Sequence, residues 1–434
     1  MPISYLKRAQ GTERVDISAT TTVVAEMLER IETGGEEATR AYSRQLDSWD
    51  PESFVLSQDQ IAAARRSLPT TVTDDLDFAH RQVRSFADRQ RASMSEFEVE
   101  LHPGLVAGQR NIPVAAAGCY VPGGRYAHVA SAAMSIATAK AAGVPHVTAC
   151  SPPRAGEGIH PATVYGMSIA GADAILCLGG VQAVAAMAFG HFTGHPAAVL
   201  AGPGNQFVAE AKRLLFGRVG IDVVAGPTEA LVLADDTADP WVVAVDLISQ
   251  AEHGRDSATI LITTSRRVAE ETMALIPRAV GMLPAESVAA EAWDKLGEVI
   301  VADTREEAAT LADEYANEHV EVHAADLGWW LDTLRNYGSL FLGEETTVTY
   351  GDKTSGPNHI LPTRGAAHYT GGLWVGKFVK TITYQRMTRD ANAQIGRVAA
   401  RISRIEGMEG HALAGDVRLG KYFPDQALDT AVPD

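Results

Sequence analysis

Hydrophobic and polar positions change period along the chain. From Thr21 to about Ala92, apolar residues recur at helical spacing between polar breaks, as in TTVVAEMLERIETGGEEATRAYSRQLDSW. Gly34 and Gly35 mark a turn there, and a helical lead-in is predicted. From Ile112 the texture becomes short apolar runs closed by glycine or proline: IPVAAAGCYVPGG, VPHVTACSPP, AGADAILCLGG, HPAAVLAGPGN and IDVVAGPTEALVLAD. Alanine-rich stretches of helical length, such as VASAAMSIATAKAAG and VQAVAAMAFG, separate them. Strands alternating with such helices imply parallel βαβ units, whose ligands collect at the carboxyl ends of the strands, where the glycine turns fall. SATILITTS, GEVIVAD and helices around Arg305 to Glu318 and Asp326 to Tyr337 predict a second α/β sheet. After Gly372 the pattern reads as a helical, basic-tinged tail, too short for a large core and therefore expected to pack on a partner. No fixed-period repeat is visible.

Composition narrows the function. The chain has 434 residues, 46% hydrophobic and 21% charged, ordinary globular values that argue against a disordered or fibrous protein. The N-terminus has early positive charge without an apolar run behind it, and no later segment reaches the roughly eighteen uninterrupted apolar residues of a membrane span. A cytoplasmic location is the default expectation. A net charge of −17, with acidic residues spread throughout, leaves no basic face for a nucleic-acid backbone. Cys119, Cys150 and Cys177 are widely spaced and odd in number, so they read as small buried hydrophobes rather than a disulfide framework or thiolate zinc site.

Candidate chemistry begins at Gln250 and His253, on a helix starting near Pro240. Residues at i and i+3 share a face and can bind one metal, although such a pair is more often surface polarity. Asp352 and His359 stand in the glycine- and proline-rich TYGDKTSGPNHILPT, and His411 stands in the polar tail. Together they offer mixed nitrogen and oxygen ligands, whereas singly Asp352 reads as a turn cap and His411 as a solvated helix residue. Glu318 and His319, in YANEHVEVHAAD, put an acid and an imidazole at a helix-to-strand junction, where either can act as a general base. The turns GCYVPGG, LGGVQAV and AGPGNQF lack the GxGxxG fingerprint, so they permit a dinucleotide site without establishing one.

Seven segments, GCYVPGG, AGPGNQFVAEAKR, AGPTEALVLAD, QAEH, ANEHVE, GDKTSGPNHILPT and EGMEGHA, resemble the histidinol dehydrogenase family in that family's order, nearly end to end. The resemblance implies one zinc per subunit, held by Gln250, His253, Asp352 and His411, with His411 reaching the site of the other subunit. It implies that His319 accepts the alcohol proton and Glu318 activates the water that attacks the intermediate aldehyde. Thr228, in place of the more usual serine, His359 and Glu406 match substrate contacts; the metal ligands and His319 also face the substrate. Tyr120, Gln182 and Asn205 match positions that touch NAD. The implied fold is α/β, with two incomplete Rossmann-like parallel-sheet domains, a helical lead-in and a small helical C-terminal segment exchanged in a homodimer. Residues 1–20 would be an arm, 21–118 plus 230–372 the first domain, 119–229 the NAD-contacting domain and 373–434 the exchanged segment.

Three departures bear on the substrate. Lys353 stands where a tyrosine is usual, Lys377 where an acidic residue is usual, and Arg125 follows PGG. Added positive charge disfavours cationic histidinol and favours an anionic head group. GCYVPGGRYAH and YTGGLWVGKFVKTITYQ also resemble the sulfopropanediol dehydrogenase branch, which oxidises 2,3-dihydroxypropane-1-sulfonate to sulfolactate. Glu406, matching a contact to a cationic part of histidinol, keeps L-histidinol as the alternative. A zinc hydrolase and an inactive zinc-binding subunit are the readings from other classes; activity without NAD would mark the first, and retention of both Glu318 and His319 opposes the second.

Overall fold

The computed structural model describes residues 3–10, 18–123, 127–154, 156–223, 226–426 and 429–431. The chain divides into two compact units, one of Met1–Arg91 with Val114–Phe378, the other of Ala92–Pro113 with Val379–Asp434.

The first unit contains two sheets. The six-stranded sheet runs Ser4–Lys7, Glu298–Val301, Ala258–Thr263, Glu229–Ala234, His319–His323, Ser339–Leu342. Every neighbouring pair is parallel except the edge strand Ser4–Lys7, which pairs antiparallel with Glu298–Val301. The strand Glu229–Ala234 shows why its sequence is almost uninterruptedly apolar. Leu231 and Leu233 enter the core on one face, Val232 and Ala234 the core on the other, as expected of a parallel strand covered by helices on both sides.

The five-stranded sheet is wholly parallel, in the order Ala174–Cys177, His146–Ser151, Ala116–Tyr120, Val199–Ala201, Gly220–Ile221. The lead-in helix Ser18–Asp47 is broken at Gly35 (φ 63°), the predicted turn. Its Val24, Met27, Leu28 and Ile31 join the core beside the helices Gly180–Phe189 and Gln206–Leu215. All three cysteines are buried and free. The helical run Val129–Ala141 contains a π segment, Ala133–Ala137. The Asn358 side chain donates to the Met134 carbonyl in that segment at 2.7 Å, which fastens the Asp352–Leu361 loop to this helix.

The second unit is a three-stranded antiparallel sheet, in the order Val379–Met387, Leu105–Pro113, Phe97–His102, with the helices Arg389–Ile405 and Glu409–Tyr422. The tail expected to be helical thus opens with a strand, because TITYQ is β-branched and aromatic and pairs along its whole length with Leu105–Pro113. Among the described residues no helix is long and apolar enough to cross a membrane.

Candidate active site

The helix Arg305–Tyr315 ends at Ala316, which adopts left-handed φ (49°), at a cost on the order of 1 kcal/mol for a non-glycine residue. That sharp stop turns Glu318 and His319 directly into the strand His319–His323. Both side chains converge on the backbone of one residue of the neighbouring strand. The Glu229 N–H donates to Glu318 Oε2 at 3.1 Å, and the Glu229 carbonyl lies 3.2 Å from His319 Nδ1.

That carbonyl can only accept, so it fixes the tautomer: Nδ1 carries the proton and Nε2 presents a lone pair. Nε2 is buried, has no hydrogen-bond partner and lies 3.8 Å from Asp352 Oδ1. An unsatisfied buried polar atom costs about 1–3 kcal/mol, and one at a cavity wall is free to bond a ligand atom. Burial pulls the His319 imidazole down to about 4, so it is neutral and able to accept a proton at pH 7. Burial also raises the Glu318 carboxyl well above its usual range, reinforced by Glu229 and Asp352, which makes it a proton-exchanging group nearer neutrality.

The predicted metal ligands Gln250, His253 and Asp352 line one cavity of about 590 Å³. The helix Pro240–Ala251 starts with Asp239 capping Trp241 and with proline in its first turn; Gln250 lies in its last turn. Gln250 Nε2 donates to Ser249 Oγ, while its buried Oε1 has no partner. His253 follows in the turn just after the helix, its N–H bonded to the Gln250 carbonyl, and burial lowers its pKa. Asp352 lies in the last turn of the short helix Val348–Lys353. An orphaned amide oxygen, a neutral imidazole and a carboxylate make a donor set suited to zinc.

A contiguous cavity of about 510 Å³ carries Thr228, Glu318, His319 and Asn205. His128, Ser131, His253, Asp352, Lys353 and His359 line both cavities. His359 is held by Ser131 at Nε2 and by the Asp352 carbonyl at Nδ1, each at 3.0 Å. Asn205 caps the helix Gln206–Leu215, accepting from the Phe207 and Val208 N–H groups, in a glycine turn after the strand Val199–Ala201. Glycine turns at strand ends beside a capped helix N-terminus form a fitting cradle for a dinucleotide phosphate. A side chain at Gly202 would strike the Tyr120 carbonyl at 2.0 Å, so the turn requires glycine.

Other predicted positions lie elsewhere. Tyr120 is buried, its hydroxyl accepting from the Gly180 N–H, and Gln182 donates to Asp47 at 2.8 Å; neither lines these cavities. Lys377 is half-buried and also absent from their walls. Glu406 and His411 belong to the second unit, where both are exposed on either side of the Gly407 turn (φ 73°). Arg125 lies outside the described residues.

Sequence reasoning missed a second polar group. Asp246, Glu321 and His323 are all buried, with potential ligand atoms within 4.8 Å of one another, a possible metal site distinct from the predicted set. Asp246 lies one helical turn before Gln250, and Glu321 and His323 follow His319 at alternate strand positions. The i−4 and i+2 spacings were the available signals.

Residues 10–419 match the family described as histidinol dehydrogenase. The chain belongs to the histidinol dehydrogenase family. Members of this family are NAD-dependent oxidoreductases acting on alcohols. A histidinol dehydrogenase homolog of Ruegeria pomeroyi is 57% identical over 98% of both chains. A sulfopropanediol 3-dehydrogenase of the same organism is 53% identical over 99% of both. The crystal structure of histidinol dehydrogenase from Elizabethkingia anophelis superposes with a TM-score of 0.89 at 32% identity, covering 95% of this chain and 94% of that one.

Proposed function

We propose that this member of the histidinol dehydrogenase family is a zinc-dependent dehydrogenase that oxidises 2,3-dihydroxypropane-1-sulfonate to sulfolactate in the cytoplasm. The overall change is R–CH2OH + 2 NAD+ + H2O → R–COO− + 2 NADH + 3 H+, with a bound aldehyde between the two hydride transfers. The observation that carries a dehydrogenase reading is His319, neutral, tautomerically fixed, with its free Nε2 3.8 Å from Asp352.

His319 Nε2 takes the hydroxyl proton as hydride leaves the carbinol carbon, and the Glu229 carbonyl stabilises the imidazolium that results. Glu318, held by the Glu229 N–H, takes a proton from the water that adds to the aldehyde. Gln250, His253 and Asp352, with His411 from a partner subunit, would hold zinc. Bound there, zinc supplies a Lewis acid that polarises the substrate oxygen. Asn205 and the neighbouring glycine turns receive NAD on the cavity side, while Tyr120 and Gln182 support the same lobe.

Lys353 favours the sulfonate. It lines both cavities beside His128 and His253, where a cationic head group would meet its positive charge. The relative named for sulfopropanediol is 53% identical, against 32% for the solved histidinol dehydrogenase.

The proposed assembly is a homodimer exchanging C-terminal segments. In the second unit Ile402, Ile405, Leu413 and Val417 are exposed, an apolar surface of the kind that a partner covers.

NADH formation by the zinc-loaded protein, measured with 2,3-dihydroxypropane-1-sulfonate and with L-histidinol, tests this reading. A higher kcat/KM for the sulfonate is expected. Preference for histidinol would transfer the assignment to the alternative that Glu406 supports, and turnover without NAD would replace it with a hydrolase.

A further inference from the structure

Behind the open site lies the sealed cluster of Asp246, Glu321 and His323. Their side chains are 9%, 1% and 0% exposed, and no lining residue of the active-site cavities belongs to the cluster. His323 Nε2 is 3.4 Å from Asp246 Oδ2 and 3.8 Å from Glu321 Oε2. Thr347 Oγ1 donates to Asp246 Oδ1 at 3.0 Å, whereas Asp246 Oδ2, both Glu321 oxygens and both His323 nitrogens are buried without a hydrogen-bond partner. Burial raises both carboxyls, so the pair shares a proton instead of carrying two charges.

The elements joined here are those that carry the reactive groups. Asp246 is on the helix of Gln250, which His253 follows; Glu321 and His323 are on the strand of His319; Thr347 and Val348 begin the short helix that carries Asp352. Each cluster residue sits four or fewer positions from a reactive group on its own element. A small rotation of any element would therefore be felt at the cavity, and the cluster resists it with groups that are almost wholly buried.

We propose that Asp246, Glu321 and His323 are positioning residues that set the affinity and geometry of the metal site. This rests on the reading of Gln250, His253 and Asp352 as ligands. Outer groups that orient metal ligands commonly govern affinity by 10–100-fold. The present case acts through the helix and strand that carry the ligands rather than by bonding them.

The test uses full-length Asp246→Asn and Glu321→Gln, near-isosteric changes, alongside His253→Ala. Zinc affinity is measured by chelator competition, cobalt-loaded protein is examined by visible absorption, and metal-free protein by thermal unfolding. Both cluster variants should bind zinc about 10–100-fold more weakly with an altered cobalt spectrum, while metal-free unfolding remains cooperative. Wild-type affinity and an unchanged spectrum in both cluster variants, with His253→Ala impaired, would overturn the positioning role alone. Unchanged metal binding in all three would overturn the ligand reading and the positioning role with it. A second zinc equivalent in the wild type, kept by His253→Ala but lost in Glu321→Gln, would instead make the cluster a metal site and overturn the proposal.

Discussion

Two rows of polar residues run side by side across the same helix and strand, and they differ in access. The front row, with Gln250, His253, Glu318 and His319, reaches the cavities and carries unpartnered donor atoms at Gln250 Oε1 and His319 Nε2. The back row, Asp246, Glu321 and His323, is built from similar residue types two to four positions away and also holds unpartnered atoms, at Asp246 Oδ2, both Glu321 oxygens and both His323 nitrogens, yet it is enclosed. Side-chain chemistry alone therefore does not separate a reacting group from a supporting one. Access to the cavities does.

The comparison breaks most visibly at the front row. His319→Ala should lower kcat for alcohol oxidation by about 10²–10⁴-fold, the usual contribution of a positioned general base. Steady-state kinetics at saturating NAD checks this, and near-normal kcat would move the base elsewhere. Glu318→Gln should lose about 10²-fold, concentrated in the second half of the reaction. Supplied aldehyde should then be oxidised disproportionately slowly compared with alcohol, and equal impairment of both steps would deny Glu318 a separate role with water.

How far these rows could be read in advance follows from their surroundings. The parallel sheets were legible because strands such as Glu229–Ala234 are buried on both faces and spell continuous apolar runs. Val379–Met387 was not, since its partner Leu105–Pro113 is far away in sequence and nearly all of its positions are exposed, so no buried face marks the strand. Gln250, Glu318, His319 and Asp352 stood in recognisable motifs. Asp246 looked like one acid in an apolar helix, and Glu321 and His323 like ordinary strand alternation. Only laying the helix against the strand brings the three together, and that information is not local. The tautomer of His319 was equally hidden, because it depends on a carbonyl ninety residues away.

Charge at the cavity mouth gives a smaller effect. Lys353→Tyr restores the residue more usual in the family and removes a cation that lines both cavities. A charge-assisted contact is worth about 1.5–3 kcal/mol, and the partial exposure of Lys353 places it at or below the lower end. The sulfonate kcat/KM should fall about tenfold, mainly through KM, with little loss for an uncharged diol. Equal loss for both substrates would assign Lys353 to holding Asp352, from which its Nζ is 3.6 Å away.

The back row's effect appears in stability. Burial raises the Glu321 carboxyl to about 8, above the ordinary 4.5 it regains on unfolding. The folded protein therefore binds the proton more tightly, and this contribution is complete below about pH 4.5 and is lost as pH rises towards 8. His319 has the opposite sign: its pKa falls from 6.5 to about 4, so its contribution is present above pH 6.5 and declines as acid is added. Glu321→Gln leaves the His319 effect in place and removes the proton shared by Glu321 and Asp246, so the comparison reads the pair. The melting temperature of the metal-free wild type, taken relative to that of Glu321→Gln, should fall steadily from pH 5 to pH 8. A constant difference across that window would mean that Glu321 already shares its proton in the unfolded chain or carries full charge in the fold, and the back row would then be held by geometry without a shared proton.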